Sequence, residues 1–251
     1  MEWDSQHYKE HAKAQIETGR VLLEKVEWNP RWRVLDLGCG EGTITRMIAK
    51  HVLQGEVIGL DPARNMIEEA KHSFGDVPNL HFVVGTAEEF HFDRPFDLIT
   101  SFNALHWIKD HIPVFRSLTQ ALKVGGKILF VMVSFGNEQV LEVMMRPRWR
   151  AYFDRTDARY TRHNVEEYRE LCNLFGFSIR RLEVAPRIHP FATREELTEA
   201  FMTWVPYQAE LPREQAYEIA QEMAENVDRA QGGQRPIPLV NRMLFVEAEK
   251  R

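Results

Sequence analysis

Short β-type segments alternate with helical patterns in the first half of this chain, and that alternation limits the fold more than any other feature. The five segments are Arg33 to Leu37, Glu56 to Leu60, Leu80 to Val84, Phe96 to Ser101 and Gly126 to Val133. Strands separated by helices are joined by crossovers and therefore run parallel within one sheet. The sequence thus predicts an α/β fold with a doubly wound, mostly parallel sheet.

Beyond residue 133 the alternation stops, and helical segments lead to two late β-type runs, Ser178 to Val184 and Arg242 to Glu249. We predict one domain in which helical segments are inserted between strands that complete the first sheet. Its parts are an N-terminal helical lid (1–32), a cofactor-binding core (33–135), helical cap segments (136–177 and 187–240) and closing strands (178–186 and 242–249).

A glycine-rich turn follows the first predicted strand in the segment V-L-D-L-G-C-G-E-G, Val34 to Gly42. Glycine adopts positive φ and lets a ligand approach the backbone closely. The spacing here is G-x-G-x-G, whereas a dinucleotide site uses G-x-G-x-x-G to set a pyrophosphate on the helix N-terminus. The turn therefore predicts a ligand site and disfavours a pyridine-nucleotide oxidoreductase.

Asp61 ends the second predicted strand, in V-I-G-L-D. A carboxylate at this place can accept two hydrogen bonds from a ribose diol. It can also simply cap a helix that begins at Pro62, where the missing N–H of proline costs nothing. Ligands of open α/β sheets bind beyond the carboxyl ends of the strands, where Asp36 and Asp61 both fall, and this pairing favours the ligand interpretation.

With these motifs in this order, roughly the first 135 residues resemble the class I S-adenosylmethionine-dependent methyltransferases. The resemblance implies a Rossmann-like, seven-stranded sheet with an antiparallel last strand, and S-adenosyl-L-methionine as the cofactor. It also implies that the glycines cradle the methionine part of the cofactor, that Asp36 helps to hold its amino group and that Asp61 binds the ribose hydroxyls.

The same resemblance places Met66 against the adenine ring. The family often has an acidic residue where this chain has Thr86, so the Ala87 backbone and Glu88 are the implied substitutes. The cofactor-binding residues implied in this way are Asp36, Gly38, Cys39, Gly40, Gly42, Asp61, Pro62, Met66, Thr86, Ala87, Glu88 and Asn103.

The segment F-D-L-I-T-S-F-N-A-L-H-W-I-K-D-H, Phe96 to His111, is similar to the trans-aconitate methyltransferases and the related juvenile hormone acid and malonyl-carrier-protein methyltransferases. N-R-M-L-F-V-E-A, at Asn241 to Ala248, extends the similarity toward the end of the chain. The resemblance implies a site roofed by the lid and the cap, in enzymes that methylate carboxylates of small or carrier-bound acids. The predicted substrate-binding residues are Trp3, Tyr8, Gln15, His106, Trp107, Trp149, Tyr152 and Trp204.

His106 is the predicted catalytic residue, because it follows the fourth strand, where the transferred methyl group should point. It can hydrogen-bond the acceptor or act as a base, beside the aromatic wall of Trp107. In the alternative interpretation, Leu105 and Trp107 are core residues and His106 satisfies a backbone carbonyl. Methyl transfer to a carboxylate needs alignment and desolvation rather than a strong base, so the lack of a catalytic dyad does not exclude an enzyme.

Six arginines, interleaved with aromatic residues, follow the fifth predicted strand. They are Arg146, Arg148, Arg150, Arg155, Arg159 and Arg162. One or two of them can clamp an anionic acceptor. The alternative is a solvated helix face whose aromatics pack on the sheet and whose arginines pair with Asp154 and Asp157.

Composition and motifs argue against several other classes of protein. The net charge of −5 does not suggest a surface that binds a phosphate backbone, and the Asn/Asp-Pro-Pro-aromatic segment expected for amino-group base methylation is absent. A nucleic-acid methyltransferase is therefore a less favoured alternative, and we expect no nucleic-acid partner. The two cysteines, Cys39 and Cys172, have no nearby partner, which indicates a reducing compartment. The sequence has no apolar signal core and no membrane span, so we expect a cytoplasmic protein with no membrane partner. The ten histidines form no H-E-x-x-H pattern, and no metal is expected.

The sequence therefore predicts a methyltransferase that acts on a small molecule, most simply by O-methylation of a carboxylic acid. Methylation of another oxygen, carbon or nitrogen of a metabolite, or of a carrier-bound acyl group, remains open, because the cofactor motifs do not separate these reactions. The oligomeric state is not indicated by the sequence.

Overall fold

The computed structural model of the protein describes residues 3–153 and 161–251, and these form one seven-stranded sheet with helices on both faces. The strands are β1 (Arg33–Leu37), β2 (Glu56–Asp61), β3 (Leu80–Val84), β4 (Phe96–Phe102), β5 (Leu122–Phe135), β6 (Phe177–Phe191) and β7 (Ile237–Lys250). The helices are α1 (Ser5–His11), α2 (Lys13–Leu23), α3 (Thr43–His51), α4 (Arg64–Phe74), α5 (Ile112–Ala121), α6 (Glu138–Met144), α7 (Arg150–Phe153), α8 (Val165–Leu174), α9 (Arg194–Met202), α10 (Val205–Ala209) and α11 (Arg213–Ala230).

The strand order is β3-β2-β1-β4-β5-β7-β6, with β1 to β5 parallel and β7 antiparallel to both of its neighbours. The predicted doubly wound, mostly parallel sheet with an antiparallel last strand is confirmed. The chain reverses direction across the sheet between β1 and β4, where the register places Asp36 beside Thr100. This switch point is where ligands bind in open α/β sheets.

The closing strands are longer than the sequence indicates. β6 and β7 pair from Phe177 opposite Lys250 to Phe191 opposite Ile237, so that part of the predicted cap segment 187–240 is an extension of the sheet. Their hydrophobic pattern is irregular in this part, and Pro190 and Pro238 lie opposite each other. Proline usually ends a strand prediction, which explains why the extension was not expected.

Three hydrophobic clusters hold the fold together. One lies between one face of the sheet and α5 and α8, and another lies between the opposite face and α2, α3 and α4. The third belongs to the cap, which consists of α6, α7 and α9 to α11, with Phe191 and Ile237 from the strand extension. Helix α8 was predicted as cap (136–177), but its Tyr168, Leu171 and Cys172 pack in the first cluster on the sheet.

The helix starts are set by short polar side chains. The Asn164 side chain accepts a hydrogen bond from the Glu167 backbone N–H at 2.9 Å, and the Thr193 hydroxyl accepts one from Glu196 at 3.1 Å. Helix α4 has no side-chain cap and begins at Arg64, two residues later than predicted, after the extended N-cap residue Ala63, whose N–H donates to a carboxylate oxygen of Asp61 at 2.8 Å. No helix among residues 3–153 and 161–251 is long and apolar enough to cross a bilayer.

Candidate active site

A cavity of about 410 Å³ opens beyond the carboxyl ends of β1, β2 and β4. It brings together nine of the predicted cofactor-binding residues and six of the predicted substrate-binding residues. The first group is Gly38, Gly40, Asp61, Pro62, Met66, Thr86, Ala87, Glu88 and Asn103, and the second is Trp3, Tyr8, Gln15, His106, Trp107 and Trp204. A narrow recess of about 30 Å³ adjoins it and is lined by Asp36 and Cys39.

Gly38 and Gly40 are glycine for two different structural reasons. Gly38 has φ +68°, and a Cβ there would lie 2.1 Å from the Cβ of Ala104, so the turn must pass close to the β4 end. Gly40 has φ +55°, and a Cβ there would meet no atom of the described protein within 4 Å. Gly38 is therefore required by packing, whereas Gly40 leaves room in the cavity for a ligand. Gly42 lines neither the cavity nor the recess. It is the residue before α3, and its backbone lies beside the Phe82 ring.

Asp61 joins the glycine turn to the start of α4. One of its carboxylate oxygens accepts the N–H of Gly40 at 2.9 Å, and the other accepts the N–H of Ala63 at 2.8 Å. Burial is the largest influence on its pKa and raises it, against the lowering effect of these two hydrogen bonds. The same carboxylate therefore orders the turn that precedes α4 and lines the cavity, although it does not cap the helix, whose N-cap is Ala63. Each of its oxygens keeps a further lone pair for a ligand.

Asp36 lies beneath the glycine turn and is 2% exposed. The hydroxyls of Thr45 and Thr100 donate to its carboxylate at 2.7 Å and 2.8 Å. Burial raises the pKa of Asp36 to about 6, although the two hydroxyls act in the opposite direction.

Glu41 was not predicted as a site residue, but it lines the same recess and is 4% exposed. Burial raises its pKa, as it does for Asp61. The polar groups that contact Asp36 and Asp61 within the described residues are hydroxyls and backbone N–H groups. Three buried carboxylates without an ion-pair partner in that part of the chain form an environment that favours a positively charged ligand.

Asn103 follows β4 with φ +56°, a conformation that is uncommon for a residue other than glycine. Its backbone N–H donates to Val131 at 2.8 Å, which fixes the position of the residue. The side-chain Nδ2 is buried in the cavity wall and has no acceptor within the described residues. A buried donor of this kind is costly unless a ligand accepts from it.

His106 lies on a 3-10 turn, Leu105–Trp107, and is 5% exposed. Burial, with the nearby His163 and His111, lowers the pKa of His106 to about 3. The imidazole is therefore neutral near physiological pH. Trp107 packs edge-to-face on Trp3 of the N-terminal segment, with ring centroids 5.2 Å apart.

A buried cluster that the sequence analysis did not identify supports this turn. His111 Nε2 lies 3.0 Å from the carbonyl oxygen of Leu105, and His163 Nε2 lies 3.1 Å from that of Ile108. Because a carbonyl only accepts, His111 Nε2 carries the proton, and its Nδ1 accepts from the hydroxyl of Tyr168 at 2.6 Å. These residues are far apart in sequence, so no local pattern could have revealed them.

The structure does not bring Trp149 or Tyr152 to the cavity. Trp149 is 2% exposed in the cap cluster, and Tyr152 is 37% exposed on α7. Aromatic residues at helical spacing fit a helix core as well as a ligand wall, and here the core interpretation accounts for Trp149.

The six arginines separate into different groups, and Arg150 is the first residue of α7. Arg146 pairs with Glu222 at 2.8 Å, and Arg148 pairs with Glu218 on the same helix, α11. Arg155 and Arg159, with Asp154, Asp157 and Tyr160, lie outside the described residues. Arg162 lines the cavity. Within the described ranges no carboxylate forms an ion pair with Arg162, which leaves its guanidinium available for an anion.

Further polar residues that were not predicted also line the cavity, among them Asn137, His189 and Asn241. Asn137 caps α6, while its Nδ2 donates to Val240 at 3.2 Å. His189 and Asn241 lie on the extensions of β6 and β7. Burial lowers the pKa of His189.

Comparisons with known proteins agree with this geometry. Residues 34–126 match the family described as a methyltransferase domain. Over 81% of its length the chain is 25% identical to the putative methyltransferase 235L of Invertebrate iridescent virus 6, of which it covers 77%. It is 35% identical over 53% of its length to the trans-aconitate 2-methyltransferase of Deinococcus radiodurans, and 35% identical over 45% to the malonyl-[acyl-carrier protein] O-methyltransferase 1 of Ilyobacter polytropus.

These last two matches span half or less of the relatives, 50% of the first and 41% of the second. Among solved structures, the YcgJ protein of Bacillus subtilis aligns over 94% of this chain and 98% of its own length, with a TM-score of 0.63 and 23% identity. A likeness at this level of identity concerns the fold.

Proposed function

We propose, on the premise that residues 34–126 are a methyltransferase domain, that this S-adenosylmethionine-dependent enzyme methylates a carboxylate oxygen of a small organic acid. The observation that supports the proposal most directly is the single cavity that joins the glycine turn and Asp61 to His106 and Arg162. One end of this cavity favours a cation, and the other end carries a neutral imidazole and an available guanidinium.

The residues at the carboxylate end fit S-adenosyl-L-methionine, whose sulfonium and amino groups are both positively charged. Asp36 and Glu41 would stabilise these charges, Asp61 would accept from the ribose hydroxyls, and the Met66 side chain would lie against adenine. The buried Nδ2 of Asn103 would gain an acceptor. When bound, the cofactor supplies an electrophilic methyl group on sulfur.

The residues at the other end fit an anionic acceptor. Arg162 would hold one carboxylate by charge-assisted hydrogen bonds, and the lid and cap aromatics would exclude water. An ionised carboxylate already carries the lone pair that attacks, so no strong base is needed. A neutral His106 can donate one hydrogen bond and thereby orient the acceptor without taking a proton.

A carrier-bound acyl group is the second candidate acceptor, because one relative that is 35% identical is a malonyl-[acyl-carrier protein] O-methyltransferase. In both candidates the methyl group would go to a carboxylate. They differ in whether the rest of the acceptor lies within the cavity or extends out of it toward a carrier protein.

An acceptor screen with labelled S-adenosylmethionine tests the proposal. Small di- and tricarboxylic acids, malonyl carriers, phenols and amines are assayed under the same conditions, with ester products identified by their lability to mild base. We expect small carboxylic acids to give the highest kcat/KM, and Arg162→Gln to raise KM for them. Arg229→Gln, on the exposed face of α11, is the matched control. Efficient methylation of an amine or phenol, with no activity on acids, would overturn the proposal.

A further inference from the structure

The lid helix α1 contributes no residue to the three hydrophobic clusters. None of its residues is buried. Its contacts are with partly exposed groups: Tyr8 packs edge-to-face on Trp3, and ion pairs join Lys9 to Glu69 at 2.9 Å and Asp4, which caps α1, to Arg213 at 3.0 Å. Such pairs contribute about 0–1 kcal/mol each. An element held in this way opens easily unless something else fastens it.

A group of metal-ligating side chains lies between α1 and the cap helix α9. His7 and His11 are one turn apart on α1, with ring centroids 4.5 Å apart, and Glu199 faces them from α9. One ligand atom from each residue lies within 4.8 Å of the other two. His7 Nε2 is 3.8 Å from the Glu199 carboxylate and 3.0 Å from its backbone oxygen.

We propose that His7, His11 and Glu199 form a zinc-binding site that fastens the lid to the cap. Two imidazoles and one carboxylate are a ligand set that suits Zn²⁺, whereas Mg²⁺ and Ca²⁺ prefer oxygen ligands alone. Zinc–ligand bonds of about 2.0–2.2 Å place ligand atoms about 3.4 Å apart in a tetrahedron. The three side chains are only partly buried, so rotation about their χ angles can bring the ligand atoms to that spacing.

The site is separate from the methyl-transfer cavity, because none of the three ligands lines it. Each lies beside residues that do. Trp3 and Tyr8 line the cavity on the α1 side, and Phe201 and Trp204 line it at the end of α9. A zinc ion held by both helices would therefore keep two walls of the cavity together without touching the substrate.

The position of the site outside the methyl-transfer cavity, rather than its coordination, supports a structural ion, because three protein ligands with one open position are also the arrangement of catalytic zinc sites. With three protein ligands at the surface, water would occupy the fourth position. Binding would replace the hydrogen bond between His7 and the Glu199 carbonyl with a bond to the metal. Because zinc binds only when α1 and α9 are together, its binding free energy stabilises the closed lid.

Zinc titration of the full chain, with no affinity tag, tests the proposal. We expect one Zn²⁺ per chain by calorimetry and by competition with a chromophoric chelator, and no competition by Mg²⁺. His11→Gln and Glu199→Gln should each weaken binding roughly tenfold or more. His91→Gln, an exposed histidine in the loop before β4, is the matched control and should bind zinc as the parent does.

Hydrogen exchange of backbone amides measures directly how readily the lid helix α1 opens. Zinc should slow exchange of the backbone amides of α1 in the parent and in His91→Gln, and should leave it unchanged in His11→Gln. The ligands are at the surface, so His11→Gln should melt as the metal-free parent does. No saturable zinc binding, equal affinity in all variants, or binding that leaves exchange in α1 unchanged would each overturn the proposal. The experiment needs no methyl acceptor, so its result is independent of the proposed reaction.

Discussion

The backbone N–H of Gly40 donates to the carboxylate of Asp61 over 2.9 Å, and this bond joins the loop after β1 to the end of β2. The second oxygen of Asp61 accepts from Ala63 at the start of α4. One side chain thus shapes the glycine turn, orders the turn that precedes α4 and presents negative charge to the cavity. The local structure and the candidate cofactor site depend on the same carboxylate.

Asp61→Asn should weaken S-adenosylmethionine binding tenfold or more. The amide keeps one acceptor but removes the charge and places a donor beside a backbone N–H, at a cost of about 1.5–3 kcal/mol. Calorimetric titration measures the loss, and Asp76→Asn, in the exposed turn after α4, is the control. Unchanged affinity in a folded Asp61→Asn protein would remove this residue from the cofactor site.

Gly40→Ala should leave the protein folded but abolish cofactor binding. Its Cβ enters open cavity space, and the positive φ costs about 1–2 kcal/mol of stability. Gly125→Ala is a close control, because Gly125 also has positive φ (+75°) and open space but lies in the irregular first part of β5, outside the cavity lining. The two variants should melt at similar temperatures, whereas only Gly125→Ala should gain stability from S-adenosylmethionine. Equal stabilisation of both would contradict the position assigned to the cofactor.

Cofactor binding should release protons near pH 6. Burial raises the pKa of Asp36 to about 6, and a positively charged ligand favours its ionised form. Affinity should therefore increase from about pH 5 to pH 7. Calorimetry in two buffers of different protonation enthalpy counts the protons, and Asp36→Asn should reduce the number. Glu41 and Asp61, whose pKa values burial also raises, account for the remainder.

His106→Gln should retain part of the rate, and His106→Ala should lose more, mainly through KM of the acceptor. Glutamine keeps a hydrogen-bond donor, and the attacking carboxylate needs no base. Because burial lowers the pKa of His106 to about 3, the parent's rate should show no limb from this residue near pH 6.5. Steady-state rates across that pH range decide the matter. Complete loss of turnover in both variants would indicate that His106 takes a proton.

Acid should destabilise the protein partly through His106 and His111. Burial lowers both pKa values to about 3, so below about pH 6.5 the unfolded chain binds protons that the folded chain does not. Stability is therefore lost as pH falls from about 6.5 toward 3. The raised pKa of Asp36 has the opposite effect on the pH dependence of stability. The contribution of His106 is therefore measured by comparing a variant with the parent at each pH. Urea unfolding should show that His106→Gln loses less stability than the parent between about pH 7 and 4.5.

Tyr168→Phe should lower the free energy of unfolding by about 1–3 kcal/mol, because it leaves Nδ1 of His111 without its donor. The half-exposed Tyr217 of α11 supplies the control Tyr217→Phe, which should change stability little. Equal unfolding free energies for the two variants would mean that the His111 contact contributes nothing.

The sheet and the cofactor end of the site could be predicted from sequence because their signals are local. Strand, glycine turn and acid follow one another within a few residues, and the parallel crossovers then place Asp36 and Asp61 at the same edge. The acceptor end could not be predicted in the same way. His189 and Asn137 reach the cavity through the long pairing of β6 with β7 and the packing of the cap, which no short pattern encodes.

Trp149 illustrates a second reason why site residues could not all be predicted from the sequence. Its aromatic neighbours and nearby arginines suit either a ligand wall or the core of a small helical layer, and the choice depends on α11, about 70 residues later in the chain. Arg146 and Arg148 find their carboxylates there, at Glu222 and Glu218, instead of in the adjacent segment. For Arg146 and Arg148, charges close in sequence were therefore a poor guide to the partners.

The cap has its own hydrophobic cluster, distinct from the two that anchor the cofactor loops on the sheet. Because the three clusters share no residue, we expect that residues of the cap cluster can be exchanged in groups without altering the packing beneath Asp36 or Gly38. The cap is therefore a natural unit for transplantation between related enzymes or for directed evolution. A library of variants confined to α6, α9 and the β6–β7 extension could be screened for activity on new acceptors, while the glycine turn and Asp61 stay unchanged.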